Sequence, residues 1–190
     1  MPSCTTVEEL GKYVYVLRLG HRPHRDQRVT THVALVARAF GALGVYIAEV
    51  RDENVRESVL KVVDRWGGKY FSVVDGVDPI DIVKQFKAEN SCVVHLTMYG
   101  IPVDNIIKDV IEKCKKILII VGAEKVERIY YELADYNIAI GNQPHSEVSA
   151  LAIFLDRLWQ GREMNICFSD AKYYIVPSAR CKVVKHVGRS

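Results

Sequence analysis

Two short loops in the second half of the chain combine glycine with polar side chains, and each directly follows an apolar run. Gly122-Ala123-Glu124 follows the run at 117–121, and the seven residues from Gly141 to Glu147 follow the run at 136–140. Glycine lets backbone amides and carbonyls approach a ligand closely, although each glycine could also serve only to turn the chain from strand to helix. Two such loops side by side would form a small-molecule site at the carboxyl edge of a parallel sheet.

Arg38 is the only residue with a permanent charge between Thr30 and Val45. Its helical neighbours four positions away are Ala34 and Ala42, so its guanidinium does not belong to an ordinary solvated face. We predict that Arg38 points into a site or an interface, with a structural ion pair as the alternative. Thr31 lies seven positions earlier and would share nearly the same helix face.

Positive charge is concentrated in two segments of the chain. The whole chain carries a formal charge of +3, whereas 18–28 has four arginines and one aspartate, and 172–190 has five basic residues and no acid. Guanidinium groups on an exposed loop are suited to phosphate contacts, although a solvated loop is the simpler alternative. We predict that four arginines contact nucleic-acid phosphates: Arg18, Arg22, Arg25 and Arg28.

Several familiar motifs are absent from the sequence. No GxxxxGK[ST] phosphate loop, HExxH or GxSxG occurs, and no GxGxxG follows the first β-rich run. The spacing of the acidic, histidine and cysteine residues does not resemble a metal cage. We therefore predict no metal site, and a ligand that is held by backbone groups and by the shape of its pocket.

The apolar runs and the cysteines indicate in which cellular compartment the protein is expected. No apolar run approaches the roughly 20 residues of a membrane span, and the first residues lack a signal peptide's apolar core. The five cysteines are odd in number and form no CxxC pair, which argues against disulfides and zinc. We expect a cytoplasmic protein without membrane association, whose cysteines are buried and reduced, with one reactive thiol as the alternative.

The elements that must position these residues alternate regularly. Six β-rich runs alternate with helical patterns. A helix is predicted from Ser146 to Trp159, after the last run. An earlier helix is predicted to begin after Thr30 or Thr31, either of which would cap it. The runs are 13–17, 45–49, 70–74, 92–96, 117–121 and 136–140. This order predicts an α/β fold, a mainly parallel six-stranded sheet with helices on both faces.

The pattern changes after Gly161. Two short strands are predicted at 164–168 and 173–176, joined by a turn at Ser169-Asp170 and followed by a basic tail. This part is too short to bury a core of its own. We therefore divide the chain into one domain at 1–161 and a basic hairpin appendage at 162–190.

Three segments resemble the motifs of a known enzyme class. Residues 32–44 resemble the first motif of the ribose-methylating branch of the SPOUT class of S-adenosylmethionine-dependent RNA methyltransferases, and 122–124 and 140–150 resemble the second and third motifs of that class. His32 stands where asparagine is more usual in that branch, and Arg38 where an arginine is expected. More closely, VLRLGHRP, RVTTHVALVARAFGA, HLTMYG, VGAEKV and GNQPHSEVSALAIFLDRL resemble the archaeal tRNA-modifying family of the class.

The resemblance implies a fold and an activity. It implies a C-terminal trefoil knot, a short basic C-terminal β-hairpin extension, a homodimer, and methylation of a T-loop cytidine ribose at tRNA position 56. Arg38 and His32 would be the catalytic residues, with Arg38 as the base that is proposed for the family. Because an arginine stays protonated, we favour a role in which Arg38 orients the hydroxyl and stabilises the developing alkoxide, and the sequence does not decide between the two roles. S-adenosylmethionine would be bound by Leu96, Val121, Gly122, Ala123, Glu124, Lys125, Ile140, Gly141, Asn142, Gln143, Pro144, His145, Ser146 and Glu147.

Two other classes of protein fit parts of the sequence. A non-catalytic RNA-binding or nucleotide-sensing α/β module would account for the basic segments and the ligand loops, and would leave Arg38 unexplained. A flavodoxin-like enzyme with another nucleotide would account for the sheet and its loops alone. Binding of S-adenosylmethionine separates the first alternative from a methyltransferase, and a coloured or bound cofactor would indicate the second.

Overall fold

The computed structural model describes residues 4–122 and 125–187, and its elements alternate as the sequence predicts. The strands are β1 (Tyr13–Arg18), β2 (Gly44–Ala48), β3 (Ser72–Val77), β4 (Cys92–Pro102), β5 (Lys116–Val121), β6 (Tyr136–Ala139), β7 (Tyr173–Val176) and β8 (Val183–His186). The helices are α1 (Gln27–Ala39), α2 (Glu53–Trp66), α3 (Pro79–Ala88), α4 (Val103–Lys113), α5 (Arg128–Leu133) and α6 (Glu147–Trp159), with short 3₁₀ turns at Glu8–Leu10 and Arg162–Asn165.

The first six strands form one sheet in the order β3-β2-β1-β5-β4-β6, and all of its pairings are parallel. The predicted six-stranded parallel sheet is confirmed. Because parallel strands end at the same edge, the residues after β1, β4, β5 and β6 meet there. Arg18, the last residue of β1, lies opposite Val121, the last residue of β5.

Helices cover both faces of the sheet and bury it in two apolar clusters. The first cluster joins the sheet to α1, α2, α4 and α6, and the second joins it to α3 and α5. Strands that are buried on both faces need apolar side chains at every position, which is why 117–121 is one continuous apolar run with no exposed residue.

Strand β4 continues past its pairing with β5, and residues 97–100 of this strand form a bulge at the carboxyl edge. Its register against β6 shifts between Leu96 and Ile101. A Cβ atom on Gly100 would lie 2.6 Å from backbone atoms of Asn137 and Ile138, so only glycine permits this close approach. The residues between Leu96 and Gly100 are therefore held against β6 beside the predicted ligand loops.

The two predicted helix starts have different outcomes. Ser146 caps α6 as predicted, because its hydroxyl accepts a hydrogen bond from the Val148 amide at 3.1 Å. The prediction for α1 is wrong, since this helix begins at Gln27. Thr30 lies inside the helix, and its hydroxyl pairs with the His21 ring rather than with the backbone of the first turn.

The predicted strand at 164–168 is also wrong. This segment begins inside the second 3₁₀ turn, and its backbone then pairs with the N-terminal segment: the Thr5 amide donates to the Asn165 carbonyl, and the Cys167 amide donates to the Thr5 carbonyl. The terminal hairpin consists instead of β7 and β8, which pair antiparallel. The conformation of this segment is set by its contact with the N-terminal segment, which the local sequence pattern does not indicate.

The cysteine prediction is corrected by two disulfides. Cys92, at the start of β4, pairs with Cys114, at the end of α4, and Cys4 pairs with Cys167. Their Cα atoms are 5.7 and 5.5 Å apart, within the range that a disulfide spans. Spacing in the sequence could not indicate this proximity, which the fold creates. Intracellular proteins of hyperthermophiles also carry disulfides, so the pairing alone does not assign a compartment.

Among the residues that the structure describes, no helix combines the length and the apolar character needed to cross a bilayer.

Candidate functional site

A pocket of about 640 Å³ opens at the carboxyl edge, between the ends of β4, β5 and β6. Its lining combines both predicted ligand loops with residues 95–99 of β4 and with the segment after β1. The lining residues are Arg22, Arg25, His95, Leu96, Thr97, Met98, Tyr99, Val121, Gly122, Lys125, Val126, Tyr131, Ile140, Gln143, Pro144, His145, Ser146, Glu147 and Ala150. The structure thus brings most of the predicted ligand-binding residues together at one site.

Two of the described residues that were predicted to bind the ligand, Gly141 and Asn142, stand outside this lining. Ala123 and Glu124 lie outside the described residues. Gly141 has a φ of +69°, a left-handed conformation that favours glycine and turns the chain out of β6. The Asn142 side chain donates hydrogen bonds to the carbonyls of Met98 at 2.8 Å and Gly100 at 3.1 Å. Gly141 and Asn142 therefore shape the pocket wall.

Arg18 links the two ligand loops from below the pocket. Its side chain is 1% exposed; one terminal nitrogen donates to the Gly122 carbonyl, and the other pairs with Glu147 Oε1 at 2.9 Å. Burial lowers the pKa of Arg18, and the charge of Glu147 opposes that shift. This position does not support the predicted contact of Arg18 with RNA, because its guanidinium is enclosed and already bonded to both loops.

A buried polar chain extends from Arg18 to the start of α2. Arg18 Nε donates to the Thr30 hydroxyl at 3.5 Å, and that hydroxyl lies 2.9 Å from His21 Nδ1. His21 Nε2 lies 2.9 Å from Asp52 Oδ2, and Asp52 also caps α2 by accepting from the amides of Asn54 and Val55. The position of Arg18 is therefore tied to the N-terminus of α2 and to α1.

His95 presents an unpaired nitrogen in the wall of the pocket. The Asn137 amide nitrogen donates to the Tyr131 carbonyl at 2.9 Å, which leaves Asn137 Oδ1 facing His95 Nδ1 at 2.9 Å. Because that oxygen can only accept, Nδ1 carries the proton and Nε2 is an acceptor. Nε2 is buried and has no partner among the described residues. Burial lowers the pKa of His95, which keeps the ring neutral, and Asn137 opposes that shift.

The arginines of the segment after β1 divide into two groups. Arg22 and Arg25 line the pocket, and both are exposed. Arg22 Nε pairs with Asp26 Oδ2 at 2.7 Å, and this hydrogen bond lowers the pKa of Asp26. Arg28 is exposed on the first turn of α1 and is not part of the lining. Arg22 and Arg25 place positive charge beside the pocket, as phosphate binding would require.

Arg38 is buried away from this pocket. Its Nε donates to the Gly67 carbonyl at 2.9 Å, its Nη2 donates to the Trp66 carbonyl at 2.8 Å, and its guanidinium lies 4.3 Å from the centroid of the Phe168 ring. Burial lowers its pKa, and Tyr70 opposes that shift. The guanidinium neutralises the carbonyl end of α2, where a cation is favoured.

His32 also lies apart from the pocket, exposed on α1. The structure therefore does not bring the two expected catalytic side chains, His32 and Arg38, to the ligand loops of their own chain. Within 4–122 and 125–187, no group of three or more His, Cys, Asp or Glu side chains could hold a metal ion.

Several pocket residues were missed from the sequence, chiefly His95, Tyr99 and Tyr131. One feature of the sequence could have indicated His95, which is the one polar residue inside the apolar run CVVHL. Tyr131 packs edge-on against the His95 ring at 4.6 Å, and its hydroxyl lies 3.0 Å from the Thr97 hydroxyl. Those contacts depend on the pairing of β4 with β6, which the sequence does not reveal.

Comparison with known proteins gives one family. Residues 66–185 match the model of the family described as "tRNA ribose 2′-O-methyltransferase, aTrm56". A tRNA (cytidine(56)-2′-O)-methyltransferase of Sulfurisphaera tokodaii is 59% identical over 88% of this chain and 98% of its own length. The protein of the same name from Pyrococcus horikoshii is 57% identical over 92% of this chain and 85% of its own.

Solved structures share the fold at low identity. The SpoU methyltransferase AviRb of Streptomyces viridochromogenes, crystallised with the cofactor AdoMet, matches with a TM-score of 0.59 and 16% identity, over 80% of this chain and 61% of that one. This chain therefore spans about three fifths of that protein. The A. aeolicus TrmH/SpoU tRNA modifying enzyme matches with a TM-score of 0.56 and 16% identity, over 83% of both chains.

Replacing Arg18 with methionine should lower the free energy of unfolding by on the order of 2 to 4 kcal/mol, because it breaks a buried ion pair and leaves the Gly122 carbonyl without its donor. Urea denaturation measures the change. Arg128→Met is the matched control: the Arg128 side chain is 91% exposed and pairs with Glu132 at 2.7 Å, so a change within about 0.5 kcal/mol is expected. Equal small changes in both variants would contradict the linking role of Arg18.

Proposed function

This chain belongs to the tRNA ribose 2′-O-methyltransferase family, and from that premise we propose that it transfers a methyl group from S-adenosylmethionine to the ribose 2′-hydroxyl of the cytidine at tRNA position 56. The observation that carries the proposal is the full-length similarity to relatives of that specificity. The pocket at the carboxyl edge supports it, because the loops that resemble the motifs of the class form its walls.

The pocket has the groups that S-adenosylmethionine needs. The ligand's amino groups are hydrogen-bond donors, and the buried, unpartnered His95 Nε2 is an acceptor in the pocket wall. Lys125 offers a positive charge for a carboxylate. Gly122 also lines the pocket, and a Cβ atom at this position would collide with the Val126 side chain. When bound, S-adenosylmethionine supplies an electrophilic methyl group, so the protein has to position the acceptor and exclude water.

The acceptor side of the reaction requires a bound phosphate backbone and an oriented hydroxyl. Arg22 and Arg25 would hold phosphates beside the pocket, with Arg28 on the adjoining surface of α1. A ribose hydroxyl is a poor acid, and a protonated guanidinium can stabilise the alkoxide that develops from it. We assign this role to Arg38, with His32 on the same helix as its neighbour. For this role, the Arg38 guanidinium must release its hydrogen bonds to the Trp66 and Gly67 carbonyls and donate instead to acceptor atoms of the RNA.

Because Arg38 does not line the pocket of its own chain, we propose a homodimer in which Arg38 of one subunit serves the pocket of the other. The half-exposed Ile153 on α6 and the partly exposed Leu35 on α1 would lie in the interface. The order β5-β4-β6 at one side of the sheet fits the trefoil knot of the class, formed by the loops around the pocket. We further assign 1–161 to the methyltransferase domain, 162–190 to an appendage, and the protein to the cytoplasm.

Tritiated methyl transfer to unmodified tRNA transcripts tests the function. The protein should label a transcript that has cytidine at position 56, and the label should map to that ribose. A transcript with 2′-deoxycytidine at this position is the matched control, since it lacks only the acceptor hydroxyl, and it should not be labelled. Binding of tRNA without methyl incorporation would favour a non-catalytic RNA-binding module instead.

Replacing Arg38 with alanine should lower the single-turnover methylation rate by about 10² to 10³-fold and leave donor affinity nearly unchanged, because the guanidinium acts on the acceptor hydroxyl. Rapid-quench kinetics and calorimetry with S-adenosylmethionine measure the two quantities. Arg56→Ala, an exposed arginine on α2, is the control and should behave as wild type. Wild-type turnover in Arg38→Ala would rule out a role for Arg38 in stabilising the alkoxide.

Replacing His95 with phenylalanine should weaken S-adenosylmethionine binding about tenfold. The ring still packs against Tyr131, but the Nε2 acceptor is lost, and a hydrogen bond of this kind contributes about 1.5 kcal/mol. Calorimetry measures the dissociation constant. His186→Phe, on the exposed hairpin strand β8, is the matched control and should bind normally. Unchanged affinity in His95→Phe would show that Nε2 does not contact the donor.

A further inference from the structure

Tyr99 is a large aromatic side chain that the fold holds in solvent at the mouth of the pocket. Its side chain is 74% exposed although the residue lines the pocket. In the described part of the chain, no other aromatic ring or cation lies against the Tyr99 ring, and its hydroxyl has no hydrogen-bond partner. Packing within the subunit therefore does not explain an aromatic residue at this position.

The backbone that carries Tyr99 is fixed on both sides. The Asn142 side chain donates to the carbonyls of Met98 and Gly100, at 2.8 and 3.1 Å, and the Tyr99 amide donates to the Thr97 hydroxyl at 3.4 Å. Gly100 is pressed against the backbone of β6, where no larger residue would fit. The exposure of Tyr99 is thus a property of an anchored bulge of β4.

The surroundings of Tyr99 indicate what covers its ring. The cations Arg22 and Arg25 line the same pocket, and the remaining neighbours in the lining include polar Gln143 and His145. An apolar protein surface over this pocket would remove the charged side chains of Arg22 and Arg25 from water and offer them nothing in return, which is costly. A nucleotide satisfies both features, because its base offers a flat π-face to the tyrosine and its phosphate offers negative charge to the arginines.

We propose that Tyr99 stacks on the cytosine base of the nucleotide whose ribose is methylated, an inference that rests on the proposed function. The base takes no chemical part in a transfer to the 2′-hydroxyl, so a contact with the base can position the attached ribose without affecting the reacting atoms. Stacking is tolerant of base identity. Tyr99 therefore sets the position of the target nucleotide, and discrimination between bases belongs to other contacts.

A double-mutant cycle between Tyr99 and the target base tests the proposal. Wild type and Tyr99→Ala are each assayed on tRNA transcripts with either cytidine or an abasic ribose at position 56, which retains the acceptor hydroxyl. Tyr99→Ala should lower kcat/KM on the cytidine transcript roughly 5- to 150-fold, the range expected for the loss of one stacked base. On the abasic transcript the two proteins should be equally active, and the affinity of both for S-adenosylmethionine should be the same.

Three matched variants sharpen the cycle. Tyr99→Phe should retain activity because it keeps the ring, and Tyr99→Leu should lose activity because it is apolar without a π-face. Tyr13→Ala is the control, because it removes another exposed tyrosine, 61% accessible, at the amino end of β1 on the opposite edge of the sheet. This variant should behave as wild type. Unchanged kcat/KM in Tyr99→Ala, or an equal loss on both transcripts, would overturn the proposal.

Fluorescence separates this inference from the proposed function. Tyr99→Trp adds an exposed indole to a chain whose tryptophans are Trp66 and Trp159, and stacking on a base should quench it when tRNA binds. Quenching by the cytidine transcript and not by the abasic one supports the stacking contact even without turnover, and equal quenching by both contradicts it. Failure of wild type to methylate position 56, with the quenching difference intact, would instead overturn the proposed function alone.

Discussion

The site depends on one buried cation. Arg18 ends β1 in the middle of the sheet, and its guanidinium bonds the Gly122 carbonyl of one ligand loop and the Glu147 carboxylate of the other. A charge at this depth is tolerated only when its donors are paired, so the two loops are constrained to remain close together. The polar chain through Thr30 and His21 extends the same constraint to α1 and α2, and thereby to the framework that surrounds the pocket.

In the proposed function, this constraint separates a rigid side of the pocket, which would hold the methyl donor, from an open side, which would receive the RNA. The rigid side consists of strand ends buried on both faces of the sheet, together with His95. The open side consists of exposed groups on anchored supports: Arg22 and Arg25 after β1, and Tyr99 on the bulge of β4 that Asn142 holds. A methyltransferase needs this division, because its small donor must be fixed while its large substrate enters and leaves.

The sequence pattern predicted the parallel sheet, the Ser146 cap and the meeting of the loops after β5 and β6 at one edge, because apolar runs, glycines and capping residues act over a few residues. It failed where a contact joins distant segments. An arginine in a basic loop looks solvated until Gly122 and Glu147 are seen around Arg18, and Cys92 and Cys114 look unpaired until the fold joins them. His95 and Tyr99 also acquire a role only through the pairing of β4 with β6 and the support of Asn142.

In the proposed function, the loops after β5 and β6, linked by Arg18, enclose S-adenosylmethionine with its methyl group directed towards Arg22, Arg25 and Tyr99. A crystal structure of the protein with bound S-adenosylmethionine would reveal this arrangement. We predict density for the ligand between Gly122 and the segment 140–147, with His95 Nε2 accepting a hydrogen bond from one of its amino groups. Ligand bound elsewhere on the chain, or a methyl group directed away from the arginines, would rule out this binding mode.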